Sequence, residues 1–260
     1  MKKFAQLGMV ALLLGFISAC SPPASSLKKT LEENPDIVFN VIEKHPAEFF
    51  KIVEQAGAKA RESQQADQFK NEMVRMKAEW KNPKKPKVVA ARAYSGNEDS
   101  PVTIVEYFDY NCGYCGKAHT TVKSLKEKYG DKIRVVYKHL PILSDTSRTA
   151  AEYMEAIRLQ DKDKAYKFHS LILEAQGDLR GGGEKHLKDL AKQAGANMSK
   201  LAKDIKSKKV KDIIDADVKE ARSFEFTGTP GFLVNGAAVR GAYPESFFAE
   251  AIDAIISGEG

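Results

Sequence analysis

The chain has 260 residues, enough for one domain with an appendage or for two small domains, and 43% of them are hydrophobic, as is typical of a protein with a packed core. Its 41 lysines and arginines exceed its 35 aspartates and glutamates, which gives a net charge of +6. The basic residues alternate with acidic ones along predicted helices and form no stripe with interleaved aromatic residues. This pattern argues against a nucleic-acid-binding protein.

The start of the chain predicts export from a bacterial cell. Two lysines precede an apolar run over residues 4–17, which is the pattern of a secretory signal and is too short for a lasting membrane span. The run ends in the letters ISAC, which resemble the lipobox of bacterial lipoproteins; an ordinary signal peptide that ends near a cysteine is the alternative. We therefore predict a signal peptide at 1–19, a lipidated Cys20, a tether at 20–26, and a lipid-anchored protein in the periplasm, at the outer membrane.

Residues 27–81 predict a helical region. The segment ENPDIVFNVIE is followed by the similar segment KHPAEFFKIVE, which places Pro35 and Pro46 at equivalent positions. Proline suits the first turn of a helix, where no backbone donor is needed, and Asn34 is a suitable cap for the first of these segments. We therefore predict two or three short helices here instead of one long helix.

Large apolar side chains follow one another at helical spacing in the second half of this region, and together they form a stripe of Phe69, Met73, Met76 and Trp80. Such a stripe usually packs against its own domain, but a region of this size buries little surface by itself. We therefore predict that residues 27–80 join copies of the chain into a homodimer or a homotrimer. Residues 82–87, with two prolines and no periodicity, predict a linker.

After this linker the pattern changes to alternating strands and helices. The segments KVVA and VTIVEYF predict strands, residues 112–129 predict a helix that ends at Gly130, and KIRVVYKHL predicts the next strand. Strand, helix and strand in this order form a βαβ unit. Residues 144–226 then predict an insertion of helices with a flexible glycine-rich break. The chain ends in a predicted hairpin, which turns at Asn235-Gly236, and a last helix.

Cys112 and Cys115 lie three positions apart at the predicted start of the first helix of this domain. Haem attachment needs a histidine directly after the second cysteine, and residue 116 is glycine. A zinc site needs four ligands, and the sequence has no second cysteine pair, while a structural disulfide across so short a loop removes little chain entropy. Redox exchange is therefore the favoured interpretation, and we predict neither a metal nor a cofactor.

The position of the pair predicts different roles for the two thiols. At the start of a helix, unpaired backbone N–H groups and the helix dipole favour an anion, which lowers the pKa of a cysteine from ~8.5 into the range of ~3.5–7.5. Cys115 lies one turn deeper and is shielded. We therefore predict that the Cys112 thiolate attacks a substrate disulfide and that Cys115 resolves the resulting mixed disulfide.

These motifs together resemble the thioredoxin-fold thiol–disulfide oxidoreductases of the bacterial periplasm, which combine a βαβ unit, CxxC at the start of its helix, and a Thr-Pro before a hairpin. The helical insertion resembles the DsbA-like branch. Gly113 and Tyr114 between the cysteines, and His119 after them, resemble the disulfide isomerase DsbC. The N-terminal helical extension is similar to that of ScsC-like members. The resemblance implies an α/β thioredoxin fold with a large helical insertion over residues 88–260, preceded by an all-α oligomerisation region.

The resemblance also implies roles for individual residues. Thr229-Pro230 matches the cis-proline loop of the family, which lies against the cysteines and offers backbone groups to an extended substrate. Glu106 matches a buried acid that assists proton transfer at the inner cysteine, with an exposed strand glutamate as the alternative. Tyr114 would tune the nucleophile and touch the substrate. His119 would tune the redox pair or belong to ordinary packing.

We therefore expect an enzyme, a protein disulfide oxidoreductase or isomerase that acts on exported proteins with cysteines. Its partners would include a membrane thiol oxidase or reductase and further copies of the chain. The direction of electron flow stays open, because the CGYC motif and Thr229 favour an isomerase while the insertion favours an oxidase. A protein of another class, an oligomeric lipoprotein with a holdase or surface-binding role and incidental cysteines, is the alternative.

Overall fold

The computed structural model describes residues 24–88, residue 92 and residues 94–258. The predicted signal peptide, Cys20 and most of the predicted tether lie outside the described residues, as do the last two residues of the predicted strand KVVA. Its first two residues, Lys87 and Val88, are not in a strand. The chain divides into two units, of which the second begins at Gln64. No helix in the described part of the chain is long and apolar enough to cross a membrane.

The first unit is helical. Helices α1 (Ala24–Glu33) and α2 (Asp36–Lys44) are short, but α3 (Pro46–Glu79) has 34 residues and continues into the second unit. The prediction of short helices only is therefore wrong after residue 46, because α3 contains many strong helix formers and has its one proline at the first helical position. The predicted cap at Asn34 is also wrong, since its side chain donates to the carbonyl oxygen of Thr30 in α1.

The second unit is built on a five-stranded mixed sheet. Its strands are β1 (Tyr94–Ser95), β2 (Val102–Phe108), β3 (Ile133–His139), β4 (Gly231–Val234) and β5 (Ala237–Arg240). Their order in the sheet is β1-β3-β2-β4-β5, with β2 parallel to β3 and antiparallel to β4. Asn235 and Gly236 have φ angles of +45° and +88°, so they form the predicted two-residue turn between β4 and β5.

Helices connect the strands in the predicted order. α4 (Gly113–Tyr129) joins β2 to β3 and ends at Gly130, whose φ is +54°. The helices between β3 and β4 form the predicted insertion, and they are α5 (Asp145–Arg158), α6 (Lys162–Glu174), α7 (Gln176–Gln193), α8 (Met198–Asp204) and α9 (Lys208–Ser223). The predicted glycine-rich break lies inside α7, as a kink at Gly183 with a φ of +51°. The last helix is α10 (Glu245–Ile256).

The apolar stripe on α3 lies within the second unit and packs into the core of that unit. Both methionines of the stripe are buried in the hydrophobic core that includes side chains of β2 and β4. Phe69 meets Phe247 of α10 edge to face with 5.1 Å between the ring centroids, and the Trp80 indole N–H donates to the carbonyl oxygen of Val234 at 3.0 Å. The predicted contact of this stripe with a partner chain is therefore wrong, because β4 and α10 supply the surface that buries it.

Candidate active site

Cys112 lies between the end of β2 and the start of α4. It is the N-cap residue of α4, with extended φ and ψ angles of −83° and 112°, and its N–H donates to the carbonyl oxygen of Asp109 at 3.1 Å. In its protonated form, the Cys112 thiol donates to the carbonyl oxygen of Thr229, in the loop before β4, at 3.2 Å. The residue predicted as the nucleophile is therefore at a helix N-terminus and against the predicted proline loop.

The surroundings of Cys112 favour its thiolate. A hydrogen bond from the Cys115 thiol is the largest cause, and hydrogen bonds with Thr229 and with the backbone N–H groups of Cys115 and Tyr114 add to it. Partial burial acts in the opposite direction, but the balance lowers the pKa of Cys112 to about 5. Cys112 therefore carries a thiolate at neutral pH, which is the reactive form of a cysteine.

Cys115 has the opposite environment. Its side chain is fully buried, and this burial, followed by its hydrogen bond to Cys112 and the nearby charge of Glu106, raises its pKa far above that of an ordinary thiol. Both cysteines are free in the structure. One thiol is thus ready to attack, while the other keeps its proton.

Glu106 is fully buried in β2, where its neighbours across the sheet are Tyr137 and Phe232. Neither of its carboxyl oxygens has a hydrogen-bond partner among the described residues. Burial, and then the negative charge of Cys112, raise the pKa of Glu106 to about 8. The alternative of an exposed strand glutamate is therefore excluded, and the carboxyl is electrostatically coupled to both thiols.

The proline loop and the start of α4 border the open side of the site. The Thr229-Pro230 bond is cis, as the resemblance implied, and the loop lines a cavity of about 260 Å³. Tyr114 is 63% exposed, and the ammonium group of Lys117 lies 5.2 Å from its ring centroid. A Cβ at Gly113 would meet open space in the described part of the chain, so packing does not require glycine there.

His119 lies one turn after Cys115 on α4 and is buried. Neither ring nitrogen has a hydrogen-bond partner in the described part of the chain. Burial lowers the pKa of His119, and this effect exceeds the opposite effect of the Glu174 carboxylate, which lies 4.0 Å from Nε2. Its ring meets that of His169 edge to face at 5.4 Å, yet no group of side chains among the described residues is arranged to hold a metal ion. His119 is thus buried in the core with a lowered pKa, and its influence on the cysteines stays a prediction.

Asp109 and Asn111, which the sequence pattern did not single out, fix the loop before the nucleophile. The Asp109 carboxylate accepts from the backbone N–H groups of Asn111 at 2.8 Å, of Ile142 at 2.8 Å and of Leu143 at 2.9 Å. The Asn111 side chain donates to hydroxyl groups at the start of α5, at 3.0 Å. An aspartate two positions before an asparagine, directly after a strand, is a signal for such a turn. These bonds connect the loop after β3 to the loop that carries Cys112.

Comparison with known proteins identifies the family of this domain. The sequence profile of the family described as thioredoxin matches residues 88–254, well over half of the chain. The chain belongs to the thioredoxin family. The thioredoxin fold with a large helical insertion, preceded by a helical region, is thereby confirmed, and its CxxC motif lies at the start of α4.

Relatives of the thioredoxin domain include proteins named for disulfide chemistry. Probable disulfide bond formation protein D of Bacillus cereus is 31% identical over 169 residues, which cover 60% of this chain and 77% of that protein. The thiol-disulfide exchange protein alpha-DsbA2 from Wolbachia pipientis has a TM-score of 0.58 at 25% identity and covers 72% of this chain and 95% of that one. ScsC of Proteus mirabilis shares the fold, with a TM-score of 0.59 at 18% identity over 90% of this chain and 95% of that chain.

Other relatives are much longer than this chain. Na(+)/H(+) antiporter NhaA 1 of Salinispora arenicola is 31% identical over 165 residues, which are 63% of this chain but 24% of the antiporter. The chain thus spans about a quarter of the length of that relative. The family, the disulfide-forming relatives and the site geometry agree that residues 88–254 form a DsbA-like thiol–disulfide oxidoreductase domain.

Proposed function

We propose that the whole protein is an exported enzyme that forms or isomerises disulfides in other exported proteins through Cys112 and Cys115. The observation that carries this proposal is the opposite effect of the fold on the two thiols: the pKa of Cys112 is lowered to about 5, and that of buried Cys115 is raised. The alternative of a holdase lipoprotein with incidental cysteines is not favoured, because incidental thiols would need no such difference.

For oxidation, the pair starts as the Cys112–Cys115 disulfide. A substrate thiolate attacks Sγ of Cys112, which forms a mixed disulfide and breaks the Cys112–Cys115 bond, so that Cys115 leaves with the electron pair and takes up a proton. A second substrate thiolate then attacks the substrate sulfur, forms the substrate disulfide and releases the Cys112 thiolate. Two electrons have passed to the pair, and the lowered pKa makes Cys112 a good leaving group.

For isomerisation, the pair starts reduced. The Cys112 thiolate attacks a substrate disulfide and releases a substrate thiolate, which attacks another disulfide of the same substrate. A substrate thiolate finally attacks the mixed disulfide and restores the Cys112 thiolate, so that no net electrons are transferred. Where rearrangement stalls, Cys115 attacks Sγ of Cys112, and the substrate leaves with both of its thiols reduced.

Cys115 needs a partner for its proton because it is buried away from solvent. Glu106 is the fitting group, since its pKa is about 8 and its carboxyl oxygens have no hydrogen-bond partner among the described residues. The charge of Glu106 raises the pKa of Cys115, so the two groups disfavour carrying negative charge together. We assign to Glu106 the transfer of the proton that Cys115 gains on reduction and loses on oxidation.

The surface beside the nucleophile suits an extended segment of an incompletely folded protein. Ile142 and Leu143 expose their side chains, while their backbone N–H groups donate to the carboxylate of Asp109. The backbone carbonyl oxygen of Asp109 accepts from the N–H of Cys112, so these side chains lie beside the nucleophile. The ring of Tyr114 is exposed at the start of α4. Exposed apolar side chains beside the nucleophile are suited to contact the side chains of an extended peptide.

The first unit supports the proposal of a homodimer or a homotrimer. No residue of α2 is buried, although most of its side chains are apolar. Large apolar side chains that are exposed in this unit are Leu27, Leu31, Ile37, Val38, Phe39, Val41, Phe49, Phe50, Ile52 and Val53. Exposed apolar surface of this kind marks an interaction site, and a further copy of the chain covers it through self-complementary contacts. Because the stripe on α3 is buried, we assign assembly to residues 27–63.

We further propose that the protein is held at the outer membrane, in the periplasm, by a lipid on Cys20. The sequence ISAC after an apolar run supports this anchor. An enzyme that forms disulfides must be reoxidised, and one that isomerises them must be kept reduced. A membrane thiol oxidase or reductase is therefore the partner that we assign to the Cys112–Cys115 pair.

The proposed activity is tested by trapping the mixed disulfide. A Cys115→Ala variant lacks the resolving thiol, so we expect it to accumulate mixed disulfides between Cys112 and exported proteins, which non-reducing gels and mass spectrometry detect. Cys112→Ala is the matched control, because it keeps the buried thiol and lacks the nucleophile, and it should trap none. Equal trapping by both variants, or none by Cys115→Ala, would contradict the assignment.

A further inference from the structure

Gln176, at the start of α7, reaches the loop that carries the nucleophile. Its side-chain Nε2 donates to the carbonyl oxygen of Tyr110 at 3.0 Å and to that of Cys112 at 2.8 Å. An amide NH₂ group has two donors, and Gln176 uses both of them on this one loop. The helical insertion thereby contacts the backbone of the nucleophile itself.

Gly116, in the first turn of α4, leaves the room that this amide needs. A Cβ at residue 116 would overlap with Oε1 of Gln176 and lie 3.1 Å from its Cδ, whereas the next atom, the carbonyl oxygen of Leu173, is at an ordinary 3.5 Å. Glycine weakens a helix relative to alanine, and residue 116 does not have the positive φ that would require glycine. A side chain at residue 116 would therefore displace the Gln176 amide from its present position.

We propose that Gln176 and Gly116 form a lock that positions Cys112 for thiol–disulfide exchange, with Gln176 as the positioning residue. By binding the carbonyl groups of residues 110 and 112, the amide fixes the turn from which the N–H groups of Tyr114 and Cys115 are directed at the Cys112 sulfur. The lock concerns the geometry of one thiol. It is independent of the direction of electron flow, of the lipid anchor and of assembly.

Gln176→Met tests the lock because methionine has a similar length but no donor. We expect the pH midpoint of Cys112 alkylation in the reduced protein to rise. Since a less stable thiolate disfavours the reduced pair, the equilibrium with glutathione should shift toward the disulfide by about threefold to tenfold, which corresponds to about 15–30 mV. Gln193→Met, at the exposed end of the same helix, is the control and should change neither value. An unchanged midpoint in Gln176→Met overturns the proposal even if the variant is less stable.

A pair of glycine substitutions tests the same lock through stability. In the wild-type background, Gly116→Ala should displace Gln176, lower the Tm and raise the pH midpoint of Cys112 alkylation. In a Gln176→Ala background the space is free, so the same substitution should raise the Tm by about 2–4 °C, as expected for glycine to alanine in a helix. Gly113→Ala is the control, because a Cβ there meets open space in the described structure, and its effect should be equal in both backgrounds. If Gly116→Ala changes the Tm in the same direction in both backgrounds, the lock does not exist.

Discussion

At the scale of single residues, the fold inverts the usual order in which a carboxyl group and a thiol lose their protons. A free carboxyl ionises about four pH units below a free cysteine. Here the pKa of Cys112 is lowered to about 5 by hydrogen bonds, and the pKa of Glu106 is raised to about 8, first by burial. A thiolate nucleophile and a protonated carboxyl therefore coexist near neutral pH, which is the combination that attack by Cys112 and proton delivery to Cys115 require.

Glu106→Gln should remove a pH-dependent loss of stability. The pKa of Glu106 is about 8 in the fold and ~4.3 in the unfolded chain, so the unfolded chain releases this proton first. The buried carboxyl thus lowers the stability of the wild type as the pH rises from about 4.3 toward 8. In the oxidised protein, where Cys112 has no charge, burial alone raises the pKa of Glu106. The Tm of the variant relative to wild type should therefore rise from about pH 4.3 up to that raised pKa and level off above it.

Two further measurements separate this effect from a general change in stability. Glu127→Gln, on the exposed side of α4, is the control, and its Tm difference from wild type should not depend on pH in this way. Release of a mixed disulfide by Cys115 should also be slower in Glu106→Gln, because the amide cannot exchange a proton with the thiol. Parallel Tm curves for wild type and Glu106→Gln would contradict the role of burial at this residue.

At the scale of secondary-structure elements, local signals in the sequence were sufficient for most of the second unit. β2, α4, β3 and the C-terminal hairpin follow from short apolar runs and from glycines at their ends, because each element is specified by residues within it. The N-cap position of Cys112 follows from the same local pattern. These parts of the fold and of the site could therefore be predicted from residues that are close in sequence.

Contacts between distant parts of the chain could not be predicted in this way. The apolar stripe on α3 has the same spacing whether a partner chain or the domain's own core covers it. Long-range contacts show which is the case, such as the bond of Trp80 to Val234, 154 positions away. Gln176 reaches Cys112 over 64 positions, from an insertion whose helices have no signal for this contact. Glu106 likewise has a strand pattern that fits an exposed or a buried side chain.

Met76→Ala tests the new position of the stripe. Met76 is fully buried in the core of the second unit, so its truncation should lower the free energy of unfolding by about 2–5 kcal/mol, as measured by urea denaturation. Val74→Ala, exposed on the same helix, is the matched control and should change it by less than about 0.5 kcal/mol. Because the contact lies within one chain, the loss should be the same at every protein concentration. If the loss of unfolding free energy disappeared on dilution, the stripe would instead lie at an interface between chains.

At the scale of the whole molecule, the two units have complementary tasks in the function that we propose. The second unit has its own core and both cysteines, so it needs no partner for a single exchange. An isomerase must in addition hold a misfolded substrate while its disulfides rearrange. Joining several active sites in one assembly raises their local concentration around the substrate, and the exposed apolar side chains of the first unit are suited to join them.

Deleting residues 27–63 should therefore yield a monomer that keeps its cysteine chemistry. The end of the deletion matters, because α3 contributes buried side chains to the second unit after this point. A longer deletion through residue 80 would remove the stripe and uncover apolar surface on α10 and β4. We expect the shorter deletion to keep the wild-type pH midpoint of Cys112 alkylation, and the longer one to unfold at a lower temperature.

The shorter deletion also separates exchange from isomerisation. Light scattering should report a monomer, and refolding of scrambled ribonuclease should be strongly reduced, because a single site releases its substrate before the disulfides have rearranged. We also expect the monomer to become a better substrate for the membrane thiol oxidase proposed above, because that oxidase would no longer have to reach Cys112 within an assembly of several copies. A truncated protein that remains oligomeric, or that isomerises disulfides as well as the full chain does, would show that the first unit does not serve assembly.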